Sequence, residues 1–273
     1  MKQALRIGGL QIQNNFHSVK YWMAILLQAA HAVFYSVKMK DLSLGMGEPA
    51  NVFDGYFLTT GSEYVITISF LIFLFMVSDI PFVNKITAQE RIRTSKEQWV
   101  RGKIFSIPVS AVIMQITIIL MSVIILSANG FCQNIWSRPF YQTAVNGGAG
   151  TLQYPGKDVL SLFRPFTAVL IQAVLIVLFE TTQAVLLYIL CLKFNKVISY
   201  AVIMVIHIAG FFMNAYCRVQ FLPFPHTVMA SMYSGDGNGS TYLNAFIYYA
   251  VFLVIEFICI EILIRRSKTN DLV

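Results

Sequence analysis

From Tyr64 to Val77 the chain reads YVITISFLIFLFMV, without a single charge. A helix crossing a bilayer needs about 20 mostly apolar residues, and a backbone in hydrocarbon must satisfy its own hydrogen bonds. Reading apolar runs between charges predicts six such spans, at 19–37, 64–82, 104–128, 166–192, 197–215 and 244–264. Hydrophobic residues make up 57% of the chain and charged ones 12%, with a mean hydropathy of +0.66. A soluble domain could not carry that composition on its surface. The expectation is an all-α integral membrane protein with six transmembrane helices, divided into an N-terminal interfacial segment (1–18), a membrane domain (19–266) and a short tail (267–273). That leaves no room for a soluble catalytic domain.

The first span contains Gln28 and His31, and Ala30-His31-Ala32 imitates the small-x-small site of a cleaved signal peptide. The stretch ahead of it is long for a signal n-region, and the apolar run continues through VFYSV. Retention as a span is the better reading. Residues 1–18 place Leu5, Ile7, Leu10, Ile12 and Phe16 among Lys2, Arg6 and glutamines, a partly amphipathic pattern suited to an interfacial helix or to a frayed tail. The pair Gly8-Gly9 argues against a continuous helix.

Basic residues stay cytoplasmic. With the N-terminus inside, the inner set is Lys2, Arg6, Lys20, Lys85, Arg91, Arg93, Lys96, Arg101, Lys103, Lys193, Lys196, Arg265, Arg266 and Lys268, the large majority of the lysines and arginines. Both termini are therefore expected to be cytoplasmic. Long connections at 38–63, 129–165 and 216–243 then lie outside, and a loop at 83–103 lies inside. Cys132 and Cys217 fall on the outer side, where both free thiols and a disulfide are open readings. No metal-ligand spacing occurs, nor a phosphate-binding G-x-x-x-x-G-K-[ST], an H-E-x-x-H or a G-x-S-x-G. The chain is not expected to be an enzyme or to bind a cofactor by itself.

Ionisable groups inside a membrane survive when paired, neutralised or facing a polar cavity. Glu180, His207 and His31 each lie about 16 Å from the inner end of their spans, at 1.5 Å per residue. They either line a translocation path or an interface between two copies, or they fasten the bundle through hydrogen bonds. Glu256 is a further candidate. Glu261 and Arg265, four apart on one helix, suit an ion pair, and Trp22 and Trp99 read as interfacial aromatics.

The sharpest local pattern is SDIPFVNKITAQERIRTSKEQWVRGK at 78–103. Asp79 can end one helix and cap the next, with Pro81 in its first turn. Thr94-Ser95-Lys96-Glu97 fits a capping box for a helix starting near residue 95, which Pro108 then kinks. Between these signals lies a short transverse helix. In this layout, and in SDIPF followed by RIRTSKEQWVRGK and more faintly in FLPFPHTVMASMY, the chain resembles the permease subunit of a bacterial ABC exporter of the ABC-2 type, like small permeases of Gram-positive bacteria. The resemblance implies a type V exporter-like fold in the cytoplasmic membrane. It implies a separate ATPase subunit that binds ATP and magnesium, a second permease chain, and an outer re-entrant segment at 216–243. It also implies a coupling helix carried by Asn84, Lys85, Ile86, Glu90, Arg91 and Arg93. The alternative is an ion-coupled secondary transporter or channel using Glu180 and His207.

Overall fold

The computed structural model describes residues 2–79, 95–146, 157–213, 222–232 and 241–266. Its helices are α1 (Lys2–Phe16), α2 (Val19–Met46), α3 (Asp54–Thr60), α4 (Glu63–Val77), α5 (Lys96–Leu126), α6 (Arg138–Val145), α7 (Lys157–Leu162), α8 (Pro165–Lys193), α9 (Lys196–Phe212), α10 (Met229–Met232) and α11 (Tyr242–Arg266), with a 3₁₀ turn at Phe224–His226. The protein is helical, and among the described residues three helices are long and apolar enough to cross a membrane: α5, α8 and α11. A fourth crossing is available if α3 and α4, bent by 80°, count as one broken span. α9 is apolar but only 17 residues long. α2 has 28 residues, but Gln28, His31 and its lysines dilute its hydropathy. Of the six predicted spans, three thus qualify as continuous helices and a fourth as a bent pair by length and composition among the described residues.

α5 and α8 form the centre. α5 packs against α1, α2, α3, α4 and α8, and α8 also meets α9 and α11. Apolar side chains segregate into three clusters. One, at the inner ends, holds Tyr21, Ala24, Phe73, Met76, Ala111, Met114, Ala184, Tyr188, Ile260 and Ile264. A second runs along α4, α8 and α9, from Phe224, Tyr249, Ile66 and Ile176 through Phe70 and Phe179 to Leu74 and Leu187, and a third, toward the opposite end from the first, holds Ala32, Met39, Tyr56, Phe57, Ile118 and Phe140.

α1 is a continuous helix despite its glycine pair, because Gly8 crosses α5 at Gly102. A Cβ on Gly102 would sit 2.5 Å from Ile7 Cγ2 and 3.1 Å from the Gly8 nitrogen. The absent side chains permit a backbone approach that offsets the helix propensity lost at glycine. Neighbouring Gly9 meets nothing within 4 Å.

The expected outer loop 38–63 is not a loop. α2 continues to Met46 and ends at Gly47, whose φ of 66° is the left-handed cap conformation. α3 is buried along its whole length. Its polar residues hide their hydroxyls internally: Thr59 donates to the Gly55 carbonyl at 2.8 Å and Thr60 to the Tyr56 carbonyl at 2.9 Å. Mean hydropathy cannot see such self-satisfaction, so the sequence reads as exterior. Gly55 lets α3 slot between α2 and α5, where a Cβ would come within 2.5 Å of Ser36 Oγ and 2.7 Å of Ser122 Oγ.

The outer connections are knitted together. Val52 donates to the Phe131 carbonyl at 3.1 Å and Phe131 to the Ala50 carbonyl at 2.9 Å, a single parallel bridge. The Asn51 amide donates to the Gln133 and Ile135 carbonyls, and the Asp54 carboxylate accepts from the Asn51 backbone at 2.8 Å and from the Ser137 hydroxyl. Asn134 Oδ1 accepts from Phe166 N at 3.1 Å, capping α8 from outside its own element.

At the inner ends, Lys20 on α2 pairs with Asp79 at 3.0 Å and also donates to the Ser78 hydroxyl. Arg101 on α5 reaches Glu97 and, on α11, Glu261, each at 2.7 Å. Glu261 therefore bonds across the bundle rather than to Arg265 on its own helix, since a fork-shaped guanidinium offers two donors to one carboxylate. Ser95, not Thr94, supplies the cap of α5, accepting from Gln98 N at 3.4 Å. Trp99 is buried in the inner cluster, with the Lys103 ammonium 5.4 Å from its ring centre. Trp22 is exposed and donates to the Phe16 carbonyl. α5 passes through Pro108 as one helix. Ser106 and Ser110 beside it turn their hydroxyls back onto the Lys103 and Ser106 carbonyls.

Candidate functional site: a polar layer between the apolar clusters

Five helices each place a polar side chain one turn beyond an inner-cluster residue. Gln28 follows Ala24 by four on α2, and Gln115 follows Ala111 by four on α5. On helices running the other way, Ser69 precedes Phe73, Glu180 precedes Ala184 and Glu256 precedes Ile260, again by four. The next turn in each helix returns to apolar residues of the outer clusters: Ala32, Ile118, Ile66, Ile176 and, two turns on, Tyr249. Since residues four apart share a helix face, each of the five polar groups lies on the buried face of its helix, one turn from the first apolar cluster. None of the five residues is more than 3% exposed.

The level is fixed independently by bonds between helices. The Tyr21 hydroxyl meets Ser110 Oγ at 3.3 Å, and Ser36 and Ser122 both flank Gly55, so Gln28 and Gln115 lie between the same two ties. Thr227 is bonded by both Gln172 on α8, at 3.0 Å through its carbonyl, and Tyr249 on α11, at 3.0 Å through its hydroxyl. Glu180 lies eight residues beyond Gln172 and Glu256 seven beyond Tyr249, about 12 and 10 Å along parallel helices.

Within the layer, satisfaction is incomplete. The Tyr56 hydroxyl donates to Gln115 Oε1 at 3.2 Å, and the Gln115 side chain neighbours the Glu180 carboxyl without a regular hydrogen bond to it. Both carboxyl oxygens of Glu180 and of Glu256, both amide atoms of Gln28, the Gln115 nitrogen and the Ser69 hydroxyl have no hydrogen-bond partner among the described residues. A buried polar group without a partner costs on the order of 1–3 kcal/mol. A layer holding several is not built for stability.

Of the three residues the sequence placed at this depth, Glu180 belongs to this polar level and the two histidines do not, while Glu256, the further candidate, is buried one turn from Ile260. His207 bonds Thr67 Oγ1 at 3.1 Å and is boxed by Phe70 at 4.5 Å, Phe224 at 4.9 Å and Phe179 at 5.9 Å between ring centres, inside an outer apolar cluster. His31 is half-buried and sets its ring edge-on to Tyr35 at 5.3 Å. Neither reaches Glu180, because depth along a helix does not fix the direction a side chain points. The coupling residues Asn84, Lys85, Ile86, Glu90, Arg91 and Arg93 lie outside the described residues, as do Pro81 and Cys217. Cys132 is an exposed free thiol.

The sequence marks Gln28 only as a residue that weakens the first span, and Ser69 and Gln115 do not stand out in it, because uncharged polar residues in apolar runs carry less cost than acids. Their signal was available as amides in segments where hydrocarbon offers no partner. Gln172 was missed for the same reason. It donates to the Thr227 and Thr60 carbonyls and accepts from Met229 N at 3.0 Å, fastening the buried 222–232 segment to α8.

Comparison with protein-family models, with characterised proteins and with solved structures returned no match for this chain.

Proposed function

We propose that this membrane protein is the permease subunit of an ABC-2-type exporter in a bacterial cytoplasmic membrane, moving a substrate when driven by a separate ATPase that binds ATP and magnesium. A second permease chain, identical or not, completes the assembly. The observation that carries the reading is the fastening of both ends of segment 80–94. At its start Asp79 and Ser78 are tied to Lys20 of α2, and just after it Ser95 caps α5, whose Arg101 grips Glu261 of α11. A push on that segment would be handed to α2 on one side and to α5 and α11 on the other, without loss in a slack connection. An ordinary positive-inside loop has no need of anchored ends.

Affinity purification of the tagged chain from its native membrane tests this. A protein with a phosphate-binding G-x-x-x-x-G-K-[ST] sequence is expected to copurify, and Arg91→Glu with Arg93→Glu to abolish the association while leaving the chain in the membrane. Transport driven by a pH gradient in vesicles containing only this chain would overturn it. The second reading, an ion-coupled transporter or channel, is favoured by one observation, the unpartnered acids Glu180 and Glu256 at mid-depth.

A further inference from the structure

Two connections outside the long membrane-spanning helices meet at Asp54: the one that joins α2 to α3 and the one that joins α5 to α6. Asp54 is 0% exposed. Its Oδ2 accepts from the Asn51 backbone at 2.8 Å and from the hydroxyl of Ser137, 83 residues away in sequence, while Oδ1 has no partner among the described residues. Ser137 also caps α6, accepting from Phe140 N at 3.3 Å, so one hydroxyl joins the start of α6 to the start of α3. Around this contact the Asn51 amide holds the Gln133 and Ile135 carbonyls, and Phe131 is bridged to Ala50 and Val52. The 131–137 connection is therefore fastened to residues 50–54 at every second residue, with Asp54 and Ser137 as the last tie.

No cation shares the site. Arg138, next to Ser137, is drawn off to Glu48 at 2.7 Å. The other titratable groups on the neighbouring elements are Lys38, Lys40 and Asp41 on α2, Tyr56 on α3 itself, Glu63 on α4, Tyr141 on α6, Glu180 on α8 with Arg164 at its cap, and Cys132 in the connection; the outer half of α5 has none. The Asp54 carboxyl answers to its burial, to Ser137 and to Asn51, and to none of these. A carboxylate removed from water needs a counter-charge or a proton. Burial pushes this carboxyl up to about 7, with the Ser137 and Asn51 donors opposing the rise.

We propose that Asp54 and Ser137 form a proton-operated latch at the outer end of the bundle, closed while the carboxyl carries a proton and released when it ionises and the 131–137 connection lifts to admit water. Both donors occupy Oδ2, which leaves Oδ1 to take the proton. Because the folded value lies above that of an ordinary carboxylate, about 4, the closed form is favoured most in acid. That advantage is lost as pH rises from there through about 7. On the side that the positive-inside rule assigns to the exterior, the latch answers to the pH outside the cell. It stands independently of what docks on the inner face.

The test is amide hydrogen exchange on the full-length chain in lipid nanodiscs, with protection over residues 131–137 corrected for the intrinsic pH dependence of exchange. In the wild type, opening of this connection is expected to rise at least about tenfold between about pH 5 and about pH 8, the equivalent of one unit of the carboxyl's titration. Protection within α5, over residues 111–122, is expected to stay constant. Asp54→Asn, neutral at every pH, is expected to keep 131–137 closed throughout. Protection over 131–137 that does not vary with pH in the wild type overturns the latch whether or not the variant folds. A rise that persists in Asp54→Asn overturns it too, since the titrating group then lies elsewhere.

Discussion

Three glycines at one helix crossing offer a controlled experiment on what glycine does in this protein. Gly8 and Gly9 are neighbours on α1, and Gly102 faces them from α5. Alanine at any of them gains helix propensity worth about 1 kcal/mol, so differences among the three isolate packing. At Gly9 the new methyl meets nothing within 4 Å, and the full gain of about 1 kcal/mol in stability is expected. At Gly8 it meets Phe105 Cδ1 at 2.7 Å, on a half-exposed ring that can turn aside, and the Gly102 carbonyl oxygen and Phe105 Cβ each at 3.3 Å, which must give by a few tenths of an ångström, so the two effects roughly cancel. At Gly102 it meets Ile7 Cγ2 at 2.5 Å, Ile7 Cβ at 2.8 Å and the Gly8 nitrogen at 3.1 Å. A branched stem and a backbone atom cannot step aside singly, and α1 must lift from α5. Overpacking of that kind costs about 1–3 kcal/mol, which leaves Gly102→Ala destabilised by up to about 2 kcal/mol after the propensity gain. Thermal unfolding in detergent ranks the three, and amide hydrogen exchange over α1 locates the effect. Faster exchange across Ile7 to Gln11 is expected in Gly102→Ala only. If Gly9→Ala and Gly102→Ala shift the midpoint alike and leave α1 exchange unchanged, the close crossing is not what the glycines are for.

Two further outcomes are expected. Gln172→Leu removes the bonds to Thr60, Thr227 and Met229 and strands a buried backbone donor, so a loss of about 2–4 kcal/mol in unfolding stability is expected; a loss below about 0.5 kcal/mol would mean that the 222–232 segment is held by its apolar contacts alone. A double-mutant cycle of Arg101→Ala and Glu261→Ala should give a coupling of about 0.5–1 kcal/mol that weakens in 1 M salt, since both side chains are partly solvated; a coupling that ignores salt would contradict that placement.

The helical membrane character was legible because apolar runs leave hydrocarbon-buried backbone only one local solution. The position of α8 was legible too, bounded by Pro165 at its first turn and Lys193 in its last. What the sequence concealed shares one cause. Hydropathy scores a residue by its side chain and not by where its polar atoms are satisfied. Asp54, Thr59 and Thr60 meet partners nearby or across the bundle, so the buried α3 reads as surface. Gly8-Gly9 reads as a helix breaker because propensity is local, while the compensation at Gly102 lies more than ninety residues away. In the polar layer the acids were visible individually and their companionship was not. Glu180 and Glu256 are joined to Gln28, Ser69 and Gln115 only through tertiary register, and His207, equally conspicuous in the sequence, turns to Thr67 and a box of phenylalanines.

That register has a consequence for how five helices find one arrangement. Inside a bilayer, lipid and protein are about equally apolar, so leucine and valine say little about which side of a helix should face inward. A helix that slips by one residue advances only about 1.5 Å but rotates by about 100°. Such a slip in α5 would leave most apolar contacts replaceable while swinging the Gln115 amide toward lipid. With Gln28 on α2, Ser69 on α4, Gln115 on α5 and Glu256 on α11 each buried among apolar neighbours, these polar groups work as the marks on a combination lock. Deleting a single residue from α2 or α5 spoils that setting more surely than exchanging many of their apolar side chains, whereas α8, with Glu180, Thr181, Thr182 and Gln183 all buried in succession, is the more tolerant wheel.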